Sequence, residues 1–106
     1  AAGTDTPGGA VLAYDAAWQD TDCAAFTDVT TGSFRARYYP DCEAFAVSAA
    51  EVEPDYRVDI VETEIIGDRA SIVTIEGWSD ENTWKMEYSL VRQEDDWRII
   101  DIIEVR

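Results

Sequence analysis

The strongest constraint on this chain is a segregation of residue types. Eleven of its fourteen alanines lie in residues 10–50, and all nine isoleucines lie in residues 56–105. Ala favours a helix because it loses no side-chain freedom there, and β-branched Ile suits the pleated surface of a strand. Helix composition followed by strand composition predicts an α+β domain with N-terminal helices packed on a sheet. With 106 residues, the chain has room for one hydrophobic core.

In the first half, a helix is predicted over about residues 8–20, where Val11, Tyr14, Ala17 and Trp18 form an apolar stripe. Asp22 is placed to cap a short second helix carrying Ala25, Phe26 and Val29, closed by Thr30, Thr31 and Gly32. Residues 33–40 read as a loop bearing Phe34, Tyr38 and Tyr39. A third helix starts at Pro40 or Asp41, turns Cys42, Phe45, Ala46 and Ala49 inward, and stops at Pro54. Residues 1–9 are small and polar, carry no leader pattern, and read as a flexible linker before a single domain over residues 10–106.

The second half reads as four strands over residues 56–66, 69–78, 84–93 and 97–105. The short links predict an antiparallel meander, and Gly67-Asp68 suits a type II′ hairpin turn. Trp84, Met86, Tyr88 and Leu90 alternate with Lys85, Glu87 and Ser89, so one face of that strand is buried and the other largely wet. In the first strand Tyr56, Val58 and Ile60 share one phase, while Val61, Thr63 and Ile65 share the other. A β-bulge at Ile60-Val61 accounts for the slip and would curl the sheet. The last strand puts Trp97, Ile99, Asp101, Ile103 and Val105 on one phase.

Charge excludes several functions. Lys and Arg number 8 against 23 Asp and Glu, a net charge of −15. A nucleic-acid binder needs a cationic face that this chain lacks, and anionic lipid is disfavoured for the same reason. No apolar run is long enough for a membrane span, so no direct membrane insertion is expected. His is absent, which removes His-based triads and the usual zinc sites. Seven of the eight basic residues are Arg, a bias shared by GC-rich and salt-adapted sources. Cys23 and Cys42 are either free thiols or one disulfide.

The segments AVLAYDAAWQDTDCAAFTDVTT (10–31), CEAF (42–45) and WKMEYSLVRQEDDWRIIDI (84–102) resemble the nuclear transport factor two-like superfamily, which has a cystatin-like fold. More narrowly, they resemble small extracytoplasmic domains of actinobacterial lipoproteins and membrane-anchored proteins. The resemblance implies a cone in which helices pack on a curved antiparallel four-stranded meander sheet, with a pocket at the open end. It also implies a Cys23–Cys42 bridge between two helix starts, and so an oxidising, extracytoplasmic location. Closing the loop between these positions is worth roughly 3 kcal/mol. The superfamily holds isomerases, cyclases and dehydratases beside many binding domains, so the fold leaves the function open.

Among candidate site residues, Asp101 is the first choice for a pocket carboxylate acting as acid or base, because it interrupts an otherwise apolar phase. The other reading is a structural carboxylate paired with Arg. Glu76 is the second choice. Tyr14, Trp18, Trp78, Trp84 and Tyr88 either line a pocket with Asp101 or simply fill the cone. Asp20, Asp22 and Asp28 match no calcium loop and read as solvated acids and caps, so neither a metal nor a cofactor is expected. The sequence therefore points to a non-enzymatic extracytoplasmic domain that binds a protein partner or a small apolar ligand. The alternative is a small isomerase, cyclase or dehydratase. Lys85, Glu87 and Ser89 on the outer face favour a monomer or weak homodimer.

Overall fold

Four helices precede four strands in the computed structural model, which describes residues 4–105. The helices are α1 (Pro7–Asp20), α2 (Cys23–Asp28), α3 (Gly32–Tyr38) and α4 (Cys42–Ala49). The strands are β1 (Arg57–Ile66), β2 (Arg69–Ser79), β3 (Asn82–Gln93) and β4 (Asp96–Glu104). They form one antiparallel sheet in the order β1-β2-β3-β4, an open α+β meander.

Each helix starts at a side-chain cap. The oxygens of Thr6, Asp22, Thr31 and Asp41 accept from the backbone N–H of Gly9, Ala25, Phe34 and Ala44, satisfying donors that a helix start leaves open. Pro7 follows the Thr6 cap at the first helical position, where its missing N–H costs nothing. The expected linker is therefore shorter than residues 1–9. Thr4 is buried, its carbonyl accepts from Trp97 N–H, and its hydroxyl donates to Asp96. Residues 1–3 of that stretch lie outside the described residues.

The segment read as a loop over residues 33–40 is mostly the helix α3. The Thr31 cap nucleates it, and Phe34 anchors it as one of the fully buried side chains. Cys23 and Cys42 are the first residues of α2 and α4, each following its capping Asp. They form a disulfide with Cα atoms 5.7 Å apart.

The turns and bulges follow backbone chemistry. Gly67 has φ 61° and is the first central residue of the β1–β2 hairpin, as a type II′ turn requires. Glu94 and Asp95 both have positive φ, the pattern of a type I′ turn between β3 and β4. The β1–β2 register slips between Ile60 and Glu62, leaving Val61 as the extra residue. A second slip skips Ile100 in β4: Leu90 pairs with Ile99, and Ser89 pairs with Asp101. Such extra residues bend a strand. The sheet accordingly wraps α1, which contacts β1, β2 and β4.

The core lies between α1 and the sheet. Val11, Phe26, Phe34, Phe45, Ile72, Leu90 and Ile99 are essentially sealed from solvent. Phe26 stacks on Phe45 at 4.3 Å, tying the two disulfide-linked helices through their rings as well. The segment between α2 and α3 also adds to β4. Ile99 N–H donates to Val29 O, and Thr31 N–H donates to Ile99 O, a short parallel bridge centred on Thr30.

Candidate functional site

The core does not fill the cone. A cavity of about 520 Å³ remains between α1, α3, the 51–56 segment and the sheet. The α1 stripe delivers Tyr14 and Trp18 to it, with Asp15 beside them. The inward phase of the sheet delivers Val58, Glu76, Trp78, Met86, Tyr88 and Ile102. The rings interlock: Tyr14 lies 6.0 Å from Tyr88, and Trp18 lies 5.1 Å from Tyr39. Exposed Glu51, Glu53 and Trp78 belong to the same lining and mark its solvent side.

Glu76 is the chemical centre of this wall. It is a strand residue of inward phase and only 7% exposed. Its Oε1 accepts from Tyr56 Oη at 2.5 Å. Its Oε2 accepts from Thr74 Oγ1 at 2.6 Å and Tyr88 Oη at 2.8 Å. Thr74 is two residues earlier on the same strand face, Tyr88 comes from β3, and Tyr56 comes from the entry to β1. A carboxylate offers about four lone-pair sites. Three are taken by hydroxyls, and one remains on Oε1. Among the described residues, no Lys or Arg hydrogen-bonds or ion-pairs with Glu76, and none lines the cavity.

The phenols respond to that setting. Burial pushes Tyr88 well above the usual phenol range, and the Glu76 charge and its hydrogen bond push in the same direction. Tyr56 is raised by burial and by its bond to Glu76. Tyr14 is raised chiefly by burial. Asp15 is held above its ordinary value by burial, with Glu76 adding repulsion and Gln19 opposing the shift.

Tyr14, Trp18, Trp78 and Tyr88 are thus brought together on the cavity wall, joined by Glu76. Trp84 is not part of the lining; it packs against Trp78 with ring centroids 4.9 Å apart and stays partly exposed. Asp101 is not part of it either. The skipped Ile100 transfers the inward phase from Ile99 to Ile102, and Asp101 takes the opposite phase beside Ser89. Its Oδ1 accepts from Tyr38 Oη and Ile102 N–H at 3.0 Å each, with Arg37 at 3.8 Å. Asp22 is the α2 cap, and Asp20 and Asp28 are exposed. Asp15, Tyr39, Glu51, Glu53 and Tyr56 complete the site without having been singled out from the sequence. Asp15 flanks the predicted stripe and Tyr56 heads a predicted strand phase, whereas Glu51 and Glu53 carried no signal.

No protein-family model and no curated protein matches the chain. Solved structures do. A SEC-C motif containing protein from Rhodopseudomonas palustris superposes with TM-score 0.74 at 12% identity, covering 97% of this chain and 81% of that one. A protein from Silicibacter pomeroyi, described as NTF-2 like and of unknown function, superposes with TM-score 0.65 at 18% identity, covering 92% of each chain. A polyketide cyclase, so described, from Sinorhizobium meliloti gives TM-score 0.58 at 18% identity, over 93% of this chain and 96% of its own. The chain has the nuclear transport factor two-like α+β fold.

Proposed function

We propose that this chain is a non-catalytic binding domain that works outside the cytoplasm and holds a small, largely apolar molecule in the cavity between α1 and the sheet. One observation carries the reading: the cone is open, with about 520 Å³ walled mainly by aromatic and aliphatic side chains. That volume falls in the range of small-molecule sites. The buried carboxylate in the wall supports specific binding: three hydroxyls hold Glu76 in place and leave one lone-pair site, on Oε1, to meet a donor group of the ligand. The Cys23–Cys42 bridge supports an oxidising compartment.

Nile red, a neutral apolar fluorophore, tests the cavity. Wild-type protein should bind it with blue-shifted emission. Met86→Trp or Val58→Trp, which fill the space, should lose the signal while keeping the fold. A wild type that never binds it, or filled variants that bind equally well, would overturn the reading. Thiol trapping in source cells tests the compartment: a bridged pair is expected, and free thiols on Cys23 and Cys42 would contradict it.

A second reading, a small isomerase, cyclase or dehydratase, is favoured by Asp15. Its carboxyl is raised by burial on a wall that also carries Tyr14, Tyr56 and Tyr88. In that reading Asp15, in place of Asp101, moves the proton. Turnover of an enolisable apolar ketone that is lost in Asp15→Asn, with Nile red binding intact, would select it.

A further inference from the structure

We propose that the molecule held in the cavity is an organic cation, an amine or quaternary ammonium carried on an apolar body; this rests on the reading of the cavity as a small-molecule site. The walls combine aromatic faces with negative charge. Trp18, Tyr39, Trp78 and Tyr88 present rings, and Asp15 and Glu76 stand among them, with Glu51 and Glu53 at the solvent side. Ring faces carry negative electrostatic potential and attract cations, most strongly where water is excluded. The protein already makes such a contact nearby: the Arg37 guanidinium lies 5.2 Å from the centroid of Tyr38, a lining ring.

The balance of charge in the wall points the same way. Four carboxylates line the cavity and, among the described residues, no Lys or Arg does. A buried carboxylate is ordinarily paired with a cation, because desolvation is costly. Glu76 has three hydroxyls and, among the described residues, no such partner. Its one uncommitted lone-pair site, on Oε1, suits the N–H of a protonated amine, and its charge attracts a quaternary ammonium without a hydrogen bond. Asp15 and Glu76 repel one another across the same wall, and a positive charge between them relieves both. An anionic ligand would meet four like charges, and a neutral one would leave them uncompensated. The net charge of −15 adds a long-range field that concentrates cations at the mouth.

A pair of probes isolates the charge. Benzyltrimethylammonium and 2,2-dimethylpropylbenzene have nearly the same shape and differ in one nucleus, nitrogen for carbon. Each is titrated against the intact, disulfide-bonded protein by displacement of Nile red at low salt. The cation should bind about tenfold tighter or more, the scale of a desolvated cation–π contact. Glu76→Gln, and separately the exposed pair Glu51→Gln with Glu53→Gln, should weaken the cation and spare the hydrocarbon. The surface pair keeps the test decisive if the Glu76 variant folds poorly.

Equal affinity for the two probes overturns the cation and leaves the apolar site standing. Cation binding that ignores both sets of carboxylate substitutions overturns its assignment to this cavity. Failure of Nile red and of both probes overturns the site itself.

Discussion

The Tyr56 hydroxyl donates to Glu76 Oε1 at 2.5 Å, joining the segment that enters β1 to the inward face of β2. Hydrogen bonds to a charged group are worth about 1.5–3 kcal/mol each. This one also ties the cavity rim to its floor, so Tyr56→Phe should lower the urea midpoint by an amount in that range. It should also loosen Nile red binding. A variant as stable as wild type would mean that the contact contributes nothing in solution.

Alkaline stability should be limited by buried phenols. In the unfolded chain, Tyr14, Tyr56 and Tyr88 ionise at about pH 10. In the folded protein each holds its proton to higher pH, with burial the leading cause. Above about pH 10 the unfolded state therefore binds fewer protons than the native state, and stability falls as pH rises. Below that pH the contribution is fully present. Tyrosinate absorbance should rise in two parts: an earlier part from Tyr38 and Tyr39, themselves raised by the bond to Asp101 and by burial respectively, and a later part from the three buried phenols that coincides with loss of the near-ultraviolet dichroism. A single early rise with the fold intact would contradict the burial.

Gly77 is predicted to tolerate no side chain. A Cβ there would sit 1.9 Å from the Asn82 carbonyl oxygen and 2.9 Å from Thr83 Cα, both backbone atoms. Gly77→Ala must push the β2–β3 hairpin apart, at a cost of about 1–3 kcal/mol or more. Thermal unfolding reads this directly, and an unchanged Tm would show that the hairpin yields freely.

Reduction should weaken the fold without dissolving the cavity chemistry. The bridge spans 19 residues of sequence, for which loop closure is worth roughly 3 kcal/mol. Cys23→Ser with Cys42→Ser should lose about that much in a denaturant titration. Loss of well under 1 kcal/mol would imply that the Phe26–Phe45 stack already holds α2 against α4.

Asp101→Asn should leave Nile red affinity unchanged and shift stability by less than about 1 kcal/mol. The carboxylate is 36% exposed in its side chain and is not itself part of the cavity lining; it accepts from the hydroxyl of Tyr38, whose ring lines the cavity, with Arg37 3.8 Å away. Loss of ligand binding in this variant would show that the carboxylate serves the site, directly or through Tyr38.

That phase change marks the boundary of what the sequence made legible. The bulge in β1 could be read because apolar residues switch phase visibly at Ile60-Val61. The one in β4 was hidden because Ile occupies both phases of residues 99–103, so alternation places no break there. One skipped residue moved Asp101 off the wall and Ile102 onto it. The helix α3 was obscured similarly: its seven residues contain Gly32 and two Arg and make barely two turns, so no stripe develops. Its only local signal was the Thr31 cap.

The aromatic composition of the cone was plain from the sequence. Whether the rings filled it or walled it depended on long-range placement of Tyr56 and the 51–53 segment, which no short-range pattern encodes. Glu76 was visible as a carboxylate on an inward phase, but its partners lie 2, 12 and 20 residues away and meet only in the folded sheet.

The short bridge at Thr30 has a consequence for how these molecules treat one another. From residue 97 to residue 100, the outward hydrogen-bonding groups of β4 are engaged by the chain's own loops and helices. Trp97 N–H goes to Thr4, Ile99 uses Val29 and Thr31, and Ile100 O takes the Arg37 guanidinium. A strand from a neighbouring molecule finds no free ladder there to extend.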